Sequence, residues 1–512
     1  RLFKACGEFL RYATVKLPSQ TSTSRNLFSR GRNCDKMELL SGEVPWKEVR
    51  NYMNQKNRYE IDMCSGSLMD KLILFSLPLM LSGILQLMFN AVDLIVVGRF
   101  SGPTALAAVG STTALIAVFI NLFIGVSQGT NVLAARFFAS QQKEKMSETV
   151  HTSIWFALVS GMVMAVVGLV FSRGALQLMA TPEDVIDQSS LYMRIYFLGM
   201  PFFMLYNYGA AVLRAIGDTR RPLLFLIIAG AANAILNLIF VAVFDLGVAG
   251  VAIATVISQM ISCVLVLGCL IRTDAIYRLE WKKLRVNRWC LGQIFRVGIP
   301  AGVQSTVINF SNVLLQSSVN SFGSTAMAGY TAANNLFGFM YTSVNAVTQA
   351  CMSFTSQNYG AGQWKRMGKV LRHCLFLTTA VSLMLGSVIY SFGPEILKLY
   401  TEEPDVIASA MEVLSYTTLT YFMCGIMDLF PGALRGMGFS AAPMVLSIIG
   451  TVGTRLVWIY GIFPMHRSLS VLFVSYPVSW LLTIVMQVTC YLILKKRLFA
   501  QIGTSGKAEV KK

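Results

Sequence analysis

The chain has 512 residues, 54% of them hydrophobic and 13% charged, with a formal net charge of +18. A soluble domain carries about 25% charged residues and a single core stops growing near ~250–300 residues, so a water-soluble globule is excluded and the bilayer is the natural solvent. The positive charge then points to anionic headgroups and away from nucleic acid, because the basic residues lie in loops and tails with no aromatic-interleaved basic face.

Residues 1–65 are polar and basic, with no periodic apolar face and no signal-peptide core. They read as a disordered extension or as upstream sequence translated in error, with Met37, Met53 or Met63 as alternative starts. Twelve apolar stretches of about 20 residues follow, each the length of a membrane-spanning helix. They are 72–96, 105–129, 150–171, 190–213, 222–243 and 248–271, then 293–317, 325–350, 371–392, 409–431, 443–463 and 470–494. The runs lack the period-two alternation of a barrel wall, so helices are expected. A lobe over 66–271 and a second over 293–497 are joined by the basic connection 272–292, and 498–512 forms a polar tail.

The two halves repeat each other. Leu213-Arg214-x-x-Gly217 with Pro222 returns 221 positions later as Leu434-Arg435-x-x-Gly438 with Pro443, and Asp184-Val185-Ile186 returns as Asp405-Val406-Ile407. This is a duplicated half-protein, too long for a solenoid unit. An even number of spans per half gives both copies one orientation, so the lobes should be related by a pseudo-two-fold axis along the membrane normal. Lys143, Lys145, Arg220, Arg221, Arg278, Lys282, Lys283, Lys365, Arg366 and Lys495 all fall on one side. By the positive-inside rule that side, with both termini, is cytoplasmic, in a multi-pass protein of the plasma membrane.

Enzyme signatures are missing: there is no GxxxxGK[ST], GxSxG, HExxH or CxxC, so an enzyme is not expected and no cofactor is implied. Active transport would have to draw on an ion gradient. The ten cysteines are scattered and read as small buried hydrophobes. An acid inside an apolar span costs about 2.5–3.5 kcal/mol on insertion scales and is a functional candidate by default. Asp93, in the first span, is the strongest case. Asn233 and Asn237, one helical turn apart, and Thr255 in the next span could join it. Their oxygens could hold Na⁺, or the desolvated carboxylate could carry a proton.

Pro78 with Asp93, Asn233 and Asn237, Val248 through Gln259, the Leu213 and Leu434 motifs and Gln357 through Gly362 together resemble the multidrug and toxic compound extrusion (MATE) family. That family lies within the superfamily that includes oligosaccharidyl-lipid and polysaccharide flippases. The resemblance covers 68–495 and implies an all-α integral membrane fold of twelve transmembrane helices in two six-helix lobes. It also implies a cation-coupling site at Asp93, Asn233, Asn237 and Thr255, with H⁺ or Na⁺ as coupling ion, and a first-span hinge at Pro78. Many relatives carry an acid where this chain has Asn237, which leaves one negative charge and favours a proton over Na⁺. The second lobe does not repeat the site: Leu314 or Leu315 stands opposite Asp93, and Thr454, Trp458 and Tyr476 stand opposite the other three.

Asp428 is the second candidate, as an anionic contact for a cationic substrate, and its repeat mate is Asn207. Arg455 could pair with it or reach the surface. Tyr208 and Met427 are expected as apolar cavity contacts. The expected function is secondary antiport exporting cationic or amphipathic small molecules, by a monomer embedded in lipid. A lipid-linked intermediate flippase is the alternative within transport, and a non-transporting membrane scaffold the alternative outside it.

Overall fold

A computed structural model describes residues 59–509, except 180 and 399, and the side chains of all of these except 114 and 499–509. The described residues form helices and no strands. In the first half the rods are α1 (Leu68–Phe100), α2 (Gly102–Ala139), α3 (Lys143–Leu178), α4 (Glu183–Leu198 and Met200–Ala215), α5 (Arg220–Val243) and α6 (Gly247–Arg272). In the second they are α7 (Arg288–Asn320), α8 (Ser324–Gly360), α9 (Trp364–Ser391), α10 (Pro404–Thr417 and Tyr421–Gly436), α11 (Ala441–Ile462) and α12 (Leu469–Glu509). The last helix therefore runs on through most of the segment expected as a polar tail.

The 221-residue repeat is visible in backbone detail. α4 and α10 break at matching places, with bends of 47° and 51°. The causes differ. Pro201 follows the break in α4, whereas in α10 the Thr417, Thr418 and Thr420 hydroxyls bond back to carbonyls four residues earlier at 2.6–2.7 Å. Such back-bonding bends helices. The turns after both rods need a left-handed residue, supplied by Gly217 (φ +96°) and Gly438 (φ +90°).

Ten of the rods, counting each bent pair as one, are long and apolar enough to cross a membrane. α7 and α8 are as long but more polar. The reason is their position: α7 packs along α2, and α8 packs against α1, α2, α9 and α10 and is buried over most of its length. A helix shielded by other helices can carry Gln, Asn and Ser that lipid would penalise.

α1 and α7 each belong to two cores. Leu68, Leu72 and Phe75 pack with Phe354 and Leu429 of the second lobe, while Val96 and Val97 pack in the first-lobe core. In the same way Cys290 and Ile294 join the first lobe, and Leu315 and Val319 join the second. Pro78 and Pro300 lie between these two attachments.

The boundary of the N-terminal extension moves back from residue 65. Met63 is fully buried, and its carbonyl accepts bonds from Asn358 (3.1 Å) and Arg366 (3.3 Å). A polar stretch without periodicity can still be packed when its backbone supplies acceptors. Residues 1–58 lie outside the described residues.

Candidate cation site and interlobe cavity

Three helices bring the predicted quartet together. Asp93 is on α1, Asn233 and Asn237 share a face of α5, and Thr255 is near the start of α6. Asn237 donates from Nδ2 to the Asp93 carboxylate (2.5 Å) and to Asn233 Oδ1 (3.2 Å), and Asn233 donates to the Thr255 hydroxyl (3.4 Å). The Thr255 side chain also reaches the Asp93 carboxylate. Asp93 is 9% exposed, Asn233 2% and Asn237 0%. Asn237 is the last residue before α5 widens into a π-helical turn, Leu238–Val243, a feature frequent at functional sites.

One buried atom is unpaired: Asn237 Oδ1 has no hydrogen-bond partner. Leaving such an acceptor buried and empty costs about 1–3 kcal/mol. Rotating that amide would turn the oxygen toward Asp93, which is unfavourable unless a proton or cation sits between them. The donor set therefore fits a small hard cation or a proton, since every available ligand is an oxygen. Tyr192 and Tyr196 of α4, stacked at 6.1 Å, stand close enough to feel the Asp93 charge. Their apolar neighbours gave the sequence no signal that would have singled them out.

The substrate-cavity candidates fare differently. Asp428 is half-buried on α10, with no Lys or Arg within 4 Å among the described residues. The positive charge acting on it is Arg435, two turns along the same helix. Tyr341 of α8 stands close enough to Asp428 to feel its charge, and 44% of its surface is free. Asn207 is partly buried, and its amide bonds to the Phe203 carbonyl of its own helix at 2.8 Å.

Tyr208 and Met427 are not cavity contacts. Tyr208 is fully enclosed against Phe156 in the first-lobe core, and Met427 is 3% exposed, with its sulfur accepting from the Thr451 hydroxyl. Arg455 neither pairs with Asp428 nor reaches the surface. It is 3% exposed, donates to Asn312 Oδ1 (2.7 Å) and Ser311 (3.5 Å), and lies 4.6 Å over the Tyr476 ring.

Among the described residues, every side-chain hydrogen bond between the lobes lies at the end that carries the basic loops. Asn131 accepts from Ser353 (3.0 Å), Gln357 donates to Ala215 O (2.7 Å), Arg136 donates to Gly436 O (3.0 Å) and Arg435 donates to Gln128 (3.2 Å). At that end α2 and α7 touch backbone to backbone. Gly125-x-x-x-Gly129 meets Gly298-x-x-x-Gly302, and a Cβ on Gly125 would lie 2.2 Å from Gly302 Cα. Small residues at four-residue spacing allow this approach. The spacing was legible in the sequence but was not among the features singled out there.

The MatE family profile matches this chain twice, over 78–243 and over 300–460, once for each repeat. The chain belongs to the MatE family. It is 30% identical over 424 residues to the probable multidrug resistance protein YoeA of Bacillus subtilis (strain 168), covering 81% of this chain and 91% of that one. It is 23% identical to the multidrug export protein MepA of Staphylococcus aureus (strain MSSA476), covering 73% and 83%. Among solved structures, one described as MATE in the bent conformation aligns with a TM-score of 0.79 at 21% identity, covering 87% of this chain and 98% of that one. The MatE chain described here is thus a multi-pass membrane protein with the fold of that family.

Proposed function

We propose that this MatE protein is a secondary active antiporter that exports cationic or amphipathic organic compounds in exchange for H⁺ or Na⁺ bound in the first lobe. The observation that carries this reading is the Asp93 site: a single buried carboxylate joined to two other helices only through neutral groups, with one amide oxygen left unpaired. The relatives named for multidrug resistance and export supply the substrate class. Asp428 and Tyr341, neighbours with free surface, would meet the cationic part of a substrate.

Cation binding changes what Asp93 can accept and therefore how firmly α1 is held by α5 and α6. The lower part of α1 is fixed in the second-lobe core, so the change falls on the segment above Pro78. Proline removes a backbone bond there and lowers the cost of bending. A ligand moves such an equilibrium only by its difference in affinity for the two forms. With the basic loops and termini cytoplasmic, the hydrogen-bonded end would be the inner one, so in this state the lobes would part toward the outside.

The test is efflux of a fluorescent organic cation from proteoliposomes under separately imposed proton and sodium gradients. One of the two should drive export, and Asp93→Asn should reduce it by about 100-fold, equivalent to ~2.7 kcal/mol, with helix content unchanged. Undiminished gradient-driven efflux by the Asn variant would reject the coupling role.

A further inference from the structure

The chain between the lobes, residues 273–287, is folded against the start of α3. The buried His151 ring donates from Nδ1 to the Ser147 carbonyl (2.6 Å) and accepts at Nε2 from the Glu280 N–H (3.0 Å). Thr152 Oγ1 accepts from the Asn287 N–H at 3.0 Å. These bonds hold open a cavity of about 260 Å³, walled by Glu148 and His151 on α3 and by Lys282, Lys283, Arg285 and Asn287 on the connection.

The charges in it are unevenly committed. Lys283 is paired with Glu280 at 2.9 Å, and that hydrogen bond holds the Glu280 carboxyl below its usual range. Lys282 and Arg285 are exposed and have no carboxylate within 4 Å among the described residues. Asn287 caps the 33-residue helix α7, accepting from Trp289 N (2.9 Å) and Cys290 N (3.2 Å), so the positive end of that helix faces the same place.

Height relative to the membrane decides the class of ligand. α6 ends at Arg272 and α7 begins at Arg288, and the first turns of α3, from Lys143 to Ser153, are polar. The cavity therefore lies where the apolar spans stop. Trp281 and Trp289 flank it with 56% and 53% of their surfaces exposed. Exposed Trp at helix ends marks the level of lipid headgroups, and basic pockets between helices there take phosphoryl groups.

We propose that this cavity seats the phosphoryl headgroup of an anionic phospholipid, gripped by Lys282 and Arg285 with Trp281 and Trp289 in the interface beside it. Among the described residues the connection is the only covalent link between the lobes, so a lipid held there would make their relative motion sensitive to membrane composition.

The test uses the full chain in nanodiscs of phosphatidylcholine with or without phosphatidylglycerol, read as bound phosphatidylglycerol by native mass spectrometry and as thermal midpoint. Wild type should retain phosphatidylglycerol and gain stability. Lys282→Gln with Arg285→Gln should weaken retention roughly 25-fold, since each basic group contributes about a factor of five at a membrane surface. Glu148→Gln should strengthen it. Lys365→Gln with Lys369→Gln removes equal charge from the exposed face of the first turns of α9 and should leave retention unchanged; a loss equal to that of the pocket variant would show diffuse charge attraction and overturn the site. Stabilisation by inorganic phosphate alone in neutral discs, abolished by the pocket variant, would overturn the lipid as occupant.

Discussion

α1 and α7 hold the same place in the two repeats, and each crosses from one core into the other at a proline. They are fastened differently. α1 is joined to α5 and α6 by the Asp93 carboxylate, the proposed seat of a proton or cation. In the equivalent space of the second lobe, α7 is joined to α11 and α12 by the guanidinium of Arg455, lying between Asn312, Ser311 and Tyr476. Tyr476 is the repeat mate of Thr255, and Arg455 is the mate of Ala234, beside Asn233. The second lobe thus carries a covalently attached positive charge where the first has the site proposed to exchange a cation. The seams differ in the same sense. α7 meets α2 glycine on glycine, while the mates of Gly298 and Gly302 on α1, counted from Pro300 and Pro78, are Ser76 and Met80, so α1 carries no glycine pair there. One crossing helix is pinned along its seam, and the other is held below Pro78 and can respond above it.

The largest effect should come from breaking the pinned seam. A Cβ on Gly302 would lie 2.5 Å from the Leu122 carbonyl oxygen and 3.0 Å from Leu122 Cα, so backbone would have to move. Overpacking costs about 1–3 kcal/mol where side chains can adjust, and more where they cannot. Gly302→Leu should therefore lower the thermal midpoint sharply, whereas Met80→Ala at its mate, a partly buried side chain, should cost only about 1–2 kcal/mol. Equal losses at both positions would remove the distinction between the seams.

A middling effect is expected at Arg455. Arg455→Met keeps volume and removes a buried charge, but leaves Asn312 and Ser311 without their donor. An unpaired buried acceptor costs about 1–3 kcal/mol. Amide hydrogen exchange over residues 308–316 of α7 should speed up, while efflux keeps its original ion dependence. If that dependence changed along with α7, Arg455 would belong to the coupling machinery rather than to the fixed half.

The helical plan and the quartet were legible in the sequence because both are rare signals: long apolar runs, and an acid within one of them. Uncommon residues at one offset revealed the repeat, and the matching bends and glycine turns are its structural counterpart. What could not be read was direction. Tyr208 and Met427 sit at spacings that suit a cavity wall and a packed core equally, and apolar periodicity carries no mark that separates the two. Arg455 was assigned by charge, yet a guanidinium with five donors is satisfied as well by an amide, a hydroxyl and an aromatic face as by a carboxylate. The polarity of α7 and α8 also has a positional cause, since their neighbours are protein more than lipid.

The smallest and most discriminating change is Asn237→Asp. It places a second carboxylate within hydrogen-bonding reach of Asp93, at a position where Asn237 now donates at 2.5 Å. Two carboxylates that close cannot both stay ionised without a cation between them, so the pair shares a proton until a metal ion displaces it. The variant also turns the unpaired amide oxygen into half of a charged ligand. Na⁺ should gain on H⁺ as the driving ion, with the sodium concentration for half-maximal efflux falling about tenfold, or ~1.4 kcal/mol. The same change at its mate, Trp458→Asp, should confer no ion dependence, because Arg455 would neutralise the new charge in place. Sodium-dependent efflux gained at Trp458 would mean that the second lobe is as open to exchange as the first, and the contrast between α1 and α7 would fall.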